Sequence, residues 1–512
     1  MTRDPVEIIS QSQFFDAEWY CAAYPDVVGF RDGPVEHYLH FGGQLGRDPG
    51  PAFSADAYLA RDPEIAAAGH NPLWHYECFG RAEYRTAEPA KGFAPGFHWG
   101  LQASEIMTLT PPLPDPETAR AALTETFSRQ QETRPHRFMT EFDIDQIAPF
   151  VAQLMAQRDA VLAVRGTKAS VIMPTRNRGH IMLNAVRSVL NQSHRNLELI
   201  IVDDGSTDGT QDMLSEVTDD TRLRVIAGNN GGVSGARNCG LDAATGDVIS
   251  YLDTDNVWTP DYLRLMMVAL EVSGADCAYA AALLRQTDGS VHGYRGEPFN
   301  WDHCLTANYV DLNVFCHKRS LYEAEGGFDP VLRRMVDWDL VLRFGRKHRP
   351  VYCPFFGCVY SDNPDDNSRV STSQPYLYHE VVALKNAQGH ASAAETIAAL
   401  NFRVALKMGA SLTPQAKALA DALADLGHDV RLDTPDSWNT RHVHQDDVVI
   451  VLEEAEAFVP HPEQITFAVG LSGEDFHATY PVPKTAARRL AAQMTADVRQ
   501  GMTTGVYGKS QS

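Results

Sequence analysis

The chain reads as an α/β protein: a doubly wound, mostly parallel central sheet, preceded by a small all-α repeat module and followed by a second, smaller α/β unit. Three observations predict this. From Ala169, short apolar runs alternate with segments of helical period, beginning "ASVIMPT", "HIMLNAVRSVLNQS", "LELIIVDD". Such alternation belongs to buried strands joined by helices. Upstream, "FDAEWYCAAYPDV" from Phe15 returns as "FSADAYLARDPEI" from Phe53. Downstream, "RVALK", "PQAKALADALADLG" and "DDVVIVL" repeat the strand–helix–strand order.

A length of 512 residues suits three or four domains of roughly 100–200 residues. The expected organisation is a repeat module over 1–95, a linker with helices over 96–166, the main α/β domain over 167–375, and a helical linker plus the smaller unit over 376–512. A formal charge of −22 argues against general nucleic-acid binding, which needs clustered Lys and Arg to neutralise phosphates. The eight cysteines include no CxxC pair, so neither a zinc ribbon nor a disulfide framework is signalled, and a reducing compartment fits. The first twenty residues carry early acids and no apolar h-region. No window approaches about 18 uninterrupted apolar residues, so no membrane span and a cytoplasmic location are expected.

In the repeat, Phe15/Phe53, Tyr20/Tyr58, Pro25/Pro63, Pro34/Pro72, His37/His75, Tyr38/Tyr76, Gly42/Gly80 and Arg47/Arg85 match at an offset of 38 residues without a gap. Each copy reads as two short helices, the second led by Pro, which suits a first helical turn. Units of this period stack to share a core. Scaffolding and docking of a protein or glycan partner both remain open for it. His37 and His75 are expected to be hydrogen-bonded core residues. Residues 88–118 carry the Pro, Gly and Ala of a linker. Apolar spacing predicts helices over Ala119–Gln131 and Asp143–Leu162.

In the main domain, "ASVIMPT", "LELIIVDD", "LRVIAGNN" and "DVISYLDTDN" are the first four strands, with helices in "HIMLNAVRSVLNQS", "TQDMLSEV" and "GVSGARNCGLDAA" between them. Ligands of such sheets lie beyond the carboxyl ends of the strands. The polar residues gather there: Thr175-Arg176-Asn177, Asp203-Asp204-Gly205-Ser206, Asn229-Asn230-Gly231-Gly232 and Asp253-Thr254-Asp255. Asp203, Asp204, Asp253 and Asp255 in one crevice would repel one another. A hard divalent cation relieves this, and Mg²⁺-type ions take one or two carboxylates and complete the shell with water and phosphate oxygens. No GxxxxGK[ST] loop and no GxGxxG after the first strand occur, which sets aside P-loop and dinucleotide redox chemistry.

"SVIMPTRNR", "LIIVDDGSTDGT", "NNGGVSGARNCGL", "ISYLDTDNVWTPDYL" and "GGFDPVLRRMVDWDLVLRFGR" resemble, in order and spacing, the family 2 nucleotide-sugar glycosyltransferases of GT-A fold, over about Ala169–Phe344. The resemblance implies inverting transfer of a sugar from a nucleoside diphosphate, commonly a UDP-sugar, to an acceptor hydroxyl, with Mn²⁺ or Mg²⁺ as cofactor. It implies Pro174, Thr175 and Arg176 along the nucleoside pocket and Asp203 with Asp204 on the donor, Asp204 at the base. It places Arg237 toward the donor, and makes Asp253 and Asp255 the DxD pair: Asp255 on the metal, Asp253 on ribose, sugar or metal-bound water. Asp337 is implied as the general base, beside Trp338 on the substrate side, with Asp339 as its structural rival. The acceptor is expected to be a glycan or lipid-linked glycan in bacterial surface polysaccharide synthesis.

Two positions depart from that family. Val336 replaces an acid before Asp337, and Asp362-Asn363 stand where relatives carry a histidine. They are the support for an alternative: a glycan-binding scaffold on a decayed transferase domain. A nucleotidyltransferase is a third reading, weakened by the poor match of "PTRNRGH" to a basic Gly-rich loop. "DDNSR" is expected to form a flap over the donor. The segment after residue 375 faintly resembles the amino-terminal half of a GT-B glycosyltransferase, a Rossmann-like unit lacking its donor-binding partner, and the final "KSQS" is expected to be disordered.

Overall fold

The computed structural model describes residues 4–90, 113–130, 142–215, 219–362, 374–409, 413–434, 446–452, 461, 463–471, 476–481 and 487–507. The expected linker centre, the "DDNSR" flap and the "KSQS" tail lie outside them. The chain forms two compact units, residues 1–327 with 341–363, and residues 328–340 with 364–512.

The first unit is built on a sheet of nine strands among the described residues: β1 (Ala169–Thr175), β2 (Leu197–Asp203), β3 (Leu223–Ala227), β4 (Val248–Tyr251), β5 (Val257–Trp258), β6 (Cys277–Arg285), β7 (Val291–Arg295), β8 (Phe315–Lys318) and β9 (Val351–Ser361). Their order is β3-β2-β1-β4-β8-β6-β9-β5, with β7 beside β6. Pairing is parallel through β3-β2-β1-β4 and between β6 and β9. It is antiparallel where β8 joins β4 and β6, and at β6–β7 and β5–β9. β1, β2 and β4 consist almost wholly of buried residues, as apolar runs covered on both faces require. The strands beyond β4 are not legible as runs of β-branched residues. β6 reads "CAYAAALLR", rich in the best helix former, and is a strand because both faces are buried.

Around the sheet, helices follow the expected segments at Gly179–Leu190 and Gly232–Ala243, while the third begins as Thr210–Leu214. A helix covers Pro116–Ser128. The expected Asp143–Leu162 helix is instead two, Ile147–Met155 and Arg158–Gly166, bent by 77°. Gln157 at the break turns its buried amide inward to donate to the Pro116 carbonyl at 2.8 Å. No single described helix is long and apolar enough to cross a membrane, and all eight cysteines are free thiols.

The 38-residue match has a counterpart in the contacts. Asp16 caps the Ala17–Ala23 helix and Ser54, its equivalent, caps Ala55–Arg61. Tyr38–Gly42 and Tyr76–Gly80 are each one widened helical turn. The Tyr20 hydroxyl meets His37 Nδ1 at 3.0 Å, and Tyr58 meets His75 Nδ1 at 2.9 Å. A Cβ on Gly42 would collide with the Tyr20 hydroxyl, and one on Gly80 with that of Tyr58, so the matching glycines let each tyrosine reach its histidine. Both copies are tied to the sheet domain through ion pairs. Arg47, fully buried, pairs with Asp26 at 3.0 Å and with Asp261. Asp48 pairs with Arg195 at 2.8 Å, and Asp56 with Arg264 at 2.9 Å. Burial alone would push the Asp26 carboxyl up, but Arg47 and His37 more than offset it and hold it below the usual range.

The second unit carries, among the described residues, an all-parallel sheet of five strands in the order β11-β10-β12-β13-β14: β10 (Arg403–Lys407), β11 (Asp429–Asp433), β12 (Val448–Leu452), β13 (Ile465–Val469) and β14 (Ala478–Tyr480). Helices Leu377–Gln388, Ala393–Ala399, Pro414–Asp425 and Ala487–Thr504 accompany it. Residues 328–340, the segment holding Asp337, belong to this unit.

Candidate active site

The carboxyl ends of four neighbouring strands coincide. Thr175 stands opposite Asp203, and Asp203 opposite Ala227. On the other side of β1, Tyr251 stands opposite Ile172, so Asp253 leaves β4 two residues further on. Because all four strands run parallel, every one of these loops emerges on the same side.

The loops lock one another. Asn177, at φ 54°, accepts the Thr207 N–H at 2.7 Å and donates its own N–H to the Ser206 hydroxyl at 2.9 Å. Asp203 accepts the Ser206 N–H at 2.8 Å. Asp204 accepts the Gly232 N–H at 2.9 Å, at the start of the Gly232–Ala243 helix, where a carboxylate is favoured. Its other oxygen, and the Thr175 hydroxyl, are buried without a hydrogen-bond partner. These are acceptor and donor capacity held at the strand ends, of the kind that a bound polar group satisfies. Pro174 is half-buried and Arg176 exposed beside them.

The acidic turn after β4 is anchored from three sides. Arg237, on the Gly232–Ala243 helix, pairs with Asp253 at 2.7 Å. The Asp253 N–H donates to Asn313 Oδ1 at 2.7 Å. Asn313 donates its amide to Asp311, which takes Arg295 of β7 at 2.8 Å. Asn256 accepts the Ser361 N–H at 2.9 Å, tying the turn to the end of β9. A Gly or Ser in place of Asn256 would lose that tie. Behind the turn, His317 Nδ1 donates to the Lys318 carbonyl at 2.9 Å, so Nε2 accepts the Tyr251 hydroxyl at 2.8 Å. Burial pulls the His317 pKa down to about 4.

Arg237 therefore already compensates Asp253, which the sequence reading gave to both donor and metal. No group of three or more His, Cys, Asp or Glu side chains among the described residues could hold an ion alone. That donor set does not make a closed protein cage. Asp255 would be the protein carboxylate for a divalent ion of the kind that takes only one or two carboxylates.

Asp362 meets a histidine that sequence reading missed. His292 Nε2 of β7 lies 3.0 Å from Asp362, and the Asp362 N–H donates to the Arg285 carbonyl at 2.7 Å. A histidine in a hairpin about seventy residues away leaves no local signal.

The second unit presents its acids differently. Helix Val336–Lys347 opens after Met335, at φ 59°. Asp339 is fully buried and pairs with Lys385 at 2.9 Å, and Asn386 donates to it at 3.0 Å. This rival acid is thus committed to a core ion pair. Asp337, half-buried, stands two residues earlier on the same turn. Trp338, expected on the substrate side, is instead fully buried with its ring 4.6 Å from His379. Val336 is buried, which explains the missing acid: an ionised side chain there would be desolvated.

Residues 170–322 match the profile of Glycosyl transferase family 2. Over 152 residues the chain is 34% identical to an uncharacterized glycosyltransferase of Rickettsia felis, covering 29% of this chain and 25% of that one. It is 37% identical over 123 residues to the putative teichuronic acid biosynthesis glycosyltransferase TuaG of Bacillus subtilis, 24% of this chain and 49% of that one. It is 28% identical over 203 residues to the chondroitin synthase of Pasteurella multocida, 38% and 21% respectively. The chain thus spans 21% to 49% of the length of these curated relatives. Among solved structures, TarS of S. aureus in complex with UDP-GlcNAc is similar at 17% identity and a TM-score of 0.36, over 45% of this chain and 69% of that one. That likeness adds no argument of its own. The strand ends with Thr175, Asp203, Asp204, Arg237, Asp253 and Asp255 all lie inside the segment that matches the Glycosyl transferase family 2 model.

Proposed function

We propose that the chain is an inverting glycosyltransferase that moves a sugar from a nucleoside diphosphate, most simply UDP, to an acceptor hydroxyl of a glycan or lipid-linked glycan. The observation that carries the reading is the coincidence of the family 2 segment with four parallel strand ends bearing the expected polar set. Pro174, Thr175 and Arg176 line the nucleoside side, and the unsatisfied Asp204 oxygen and Thr175 hydroxyl receive donor polar groups. A divalent cation, Mn²⁺ or Mg²⁺, held by Asp255 and the diphosphate, neutralises charge on the leaving group. Asp253 orients Arg237 toward the donor. Asp337 takes the proton of the attacking hydroxyl, as a positioned carboxylate can.

The names of the teichuronic acid and chondroitin relatives support polysaccharide synthesis as the setting, and the eight free thiols fit a reducing, cytoplasmic one. The two 38-residue copies are read as a repeat serving as scaffold, because Arg47, Asp48 and Asp56 are committed to buried pairs rather than offered to a partner. The C-terminal parallel sheet is read as a GT-B-like half without a donor site of its own.

The test is a panel of UDP-glucose, UDP-galactose, UDP-N-acetylglucosamine and UDP-glucuronic acid with Mn²⁺, reading UDP release with and without oligosaccharide acceptors. Release from at least one donor, abolished by EDTA and restored by Mn²⁺, is expected. Tight glycan binding with no release from any nucleotide sugar would establish the scaffold reading instead.

A further inference from the structure

The segment that carries Asp337 is held along its length by the C-terminal α/β unit. At its start, Asp329 accepts Lys385 Nζ at 2.8 Å and the Ala393 N–H at 2.7 Å. Further on, Arg334 donates to the Gln374 carbonyl at 2.8 Å and pairs with Glu463 at 2.9 Å. Trp338 lies against His379, whose ring also stacks on Tyr376 at 5.3 Å. At the helix turn itself, Asp339 receives both Lys385 and Asn386. Lys385 is 2% exposed, Asp339 fully buried and Asp329 nearly so.

This arrangement is costly to build. Two carboxylates face one ammonium, and the excess negative charge is met by the Asn386 amide and the Ala393 N–H. Burying ions is expensive and seldom the most stable way to fill a core. An apolar packing of the same volume would serve stability as well. What the ionic version supplies is direction: an ion pair with added hydrogen bonds fixes Asp339 in one orientation. Asp337 lies two residues away on the same helical turn, so the direction in which its side chain leaves the backbone is fixed with that turn.

We propose that Lys385 and Asn386 are positioning residues, fixing through Asp339 the helical turn that carries Asp337. The inference rests on Asp337 being the general base. A base must lie within hydrogen-bond reach of the proton that it takes, and small misplacements of reacting groups lower rates steeply. Loosening that turn therefore slows turnover and leaves donor binding alone.

Four variants test it: Asp337→Asn, Asn386→Ala, Lys385→Met and the double variant Asp337→Asn with Asn386→Ala. UDP binding with Mn²⁺ is measured by calorimetry, its stoichiometry giving the folded fraction. UDP release is timed on the UDP-sugar of the panel that is turned over fastest. Asn386→Ala is expected to keep the parental stoichiometry and donor KM while kcat falls roughly 3–10-fold, and Lys385→Met to fall further. The double variant is expected to be no slower than Asp337→Asn, because Asn386 acts only through that carboxylate. Should Lys385→Met fail to fold, the Asn386→Ala arm decides. An undiminished kcat in Asn386→Ala, or a double variant slowed again by the full Asn386 factor, overturns the positioning role and leaves the base in place. An undiminished rate in Asp337→Asn overturns the base itself.

Discussion

Two triplets of identical spacing, Asp253-Thr254-Asp255 and Asp337-Trp338-Asp339, are treated in opposite ways by the fold. In the first, at a strand end, both carboxylates are half-buried, and Arg237 takes the first of them, whose side chain is 36% exposed. In the second, on the opening turn of a helix, the last carboxylate is driven fully into the core onto Lys385 while the first stays half-buried. Successive positions on a helix point in different directions, whereas a turn can bring both acids of a triplet toward one ligand. The same spacing thus leaves both acids half-buried at a turn in one place and, in the other, sends one into the core while its neighbour stays half-buried.

Substitutions in the two triplets should separate accordingly. The largest effect is expected from Asp255→Ala, which should remove Mn²⁺-dependent UDP binding altogether while the fold survives, read by calorimetry beside a thermal melt. Asp337→Asn should bind UDP normally and lose roughly 10²–10⁴-fold in turnover, the range of a general base. If both variants lost donor affinity alike, the division between the triplets would be wrong. Lys385→Met should cost about 3–5 kcal/mol in chemical denaturation, because it strands buried carboxylates. Asp253→Asn, at the partly exposed pair, should cost about 1 kcal/mol or less yet weaken UDP binding.

A further effect concerns pH. Burial holds the His317 and His194 pKa values down to about 4, against about 6.5 in an unfolded chain. Their folded values are depressed, so the unfolded chain binds more protons between these limits. The neutral-ring contribution is complete above about pH 6.5 and is lost as pH falls toward 4. Stability followed by denaturant midpoint should decline across that window, and His317→Gln should flatten part of the decline.

What was legible follows from range. The strand ends were readable because turn chemistry is local: Asn177, Asp203 and Asn230 sit where their own sequence neighbours demand them. The acidic turn was readable as a polar strand end for the same reason. Arg237 was named, but its partner was not, since an ion pair between a helix and a turn has no sequence period. Lys385, Asn386, His292 and Asn313 were missed because each acts across a distance in sequence that no motif spans. The Arg47–Asp261 pair, 214 residues apart, is the extreme case. Trp338 shows the converse: expected beside the substrate, it is fully buried, and only the fold reveals that.

The most direct measurement is calorimetric titration of UDP into the full chain with Mn²⁺, repeated with EDTA and with Asp255→Ala. Binding in the first case only is the predicted result. Binding of equal strength in all three would mean that neither the cation nor the turn after β4 holds the diphosphate, and the proposed reaction would have no site.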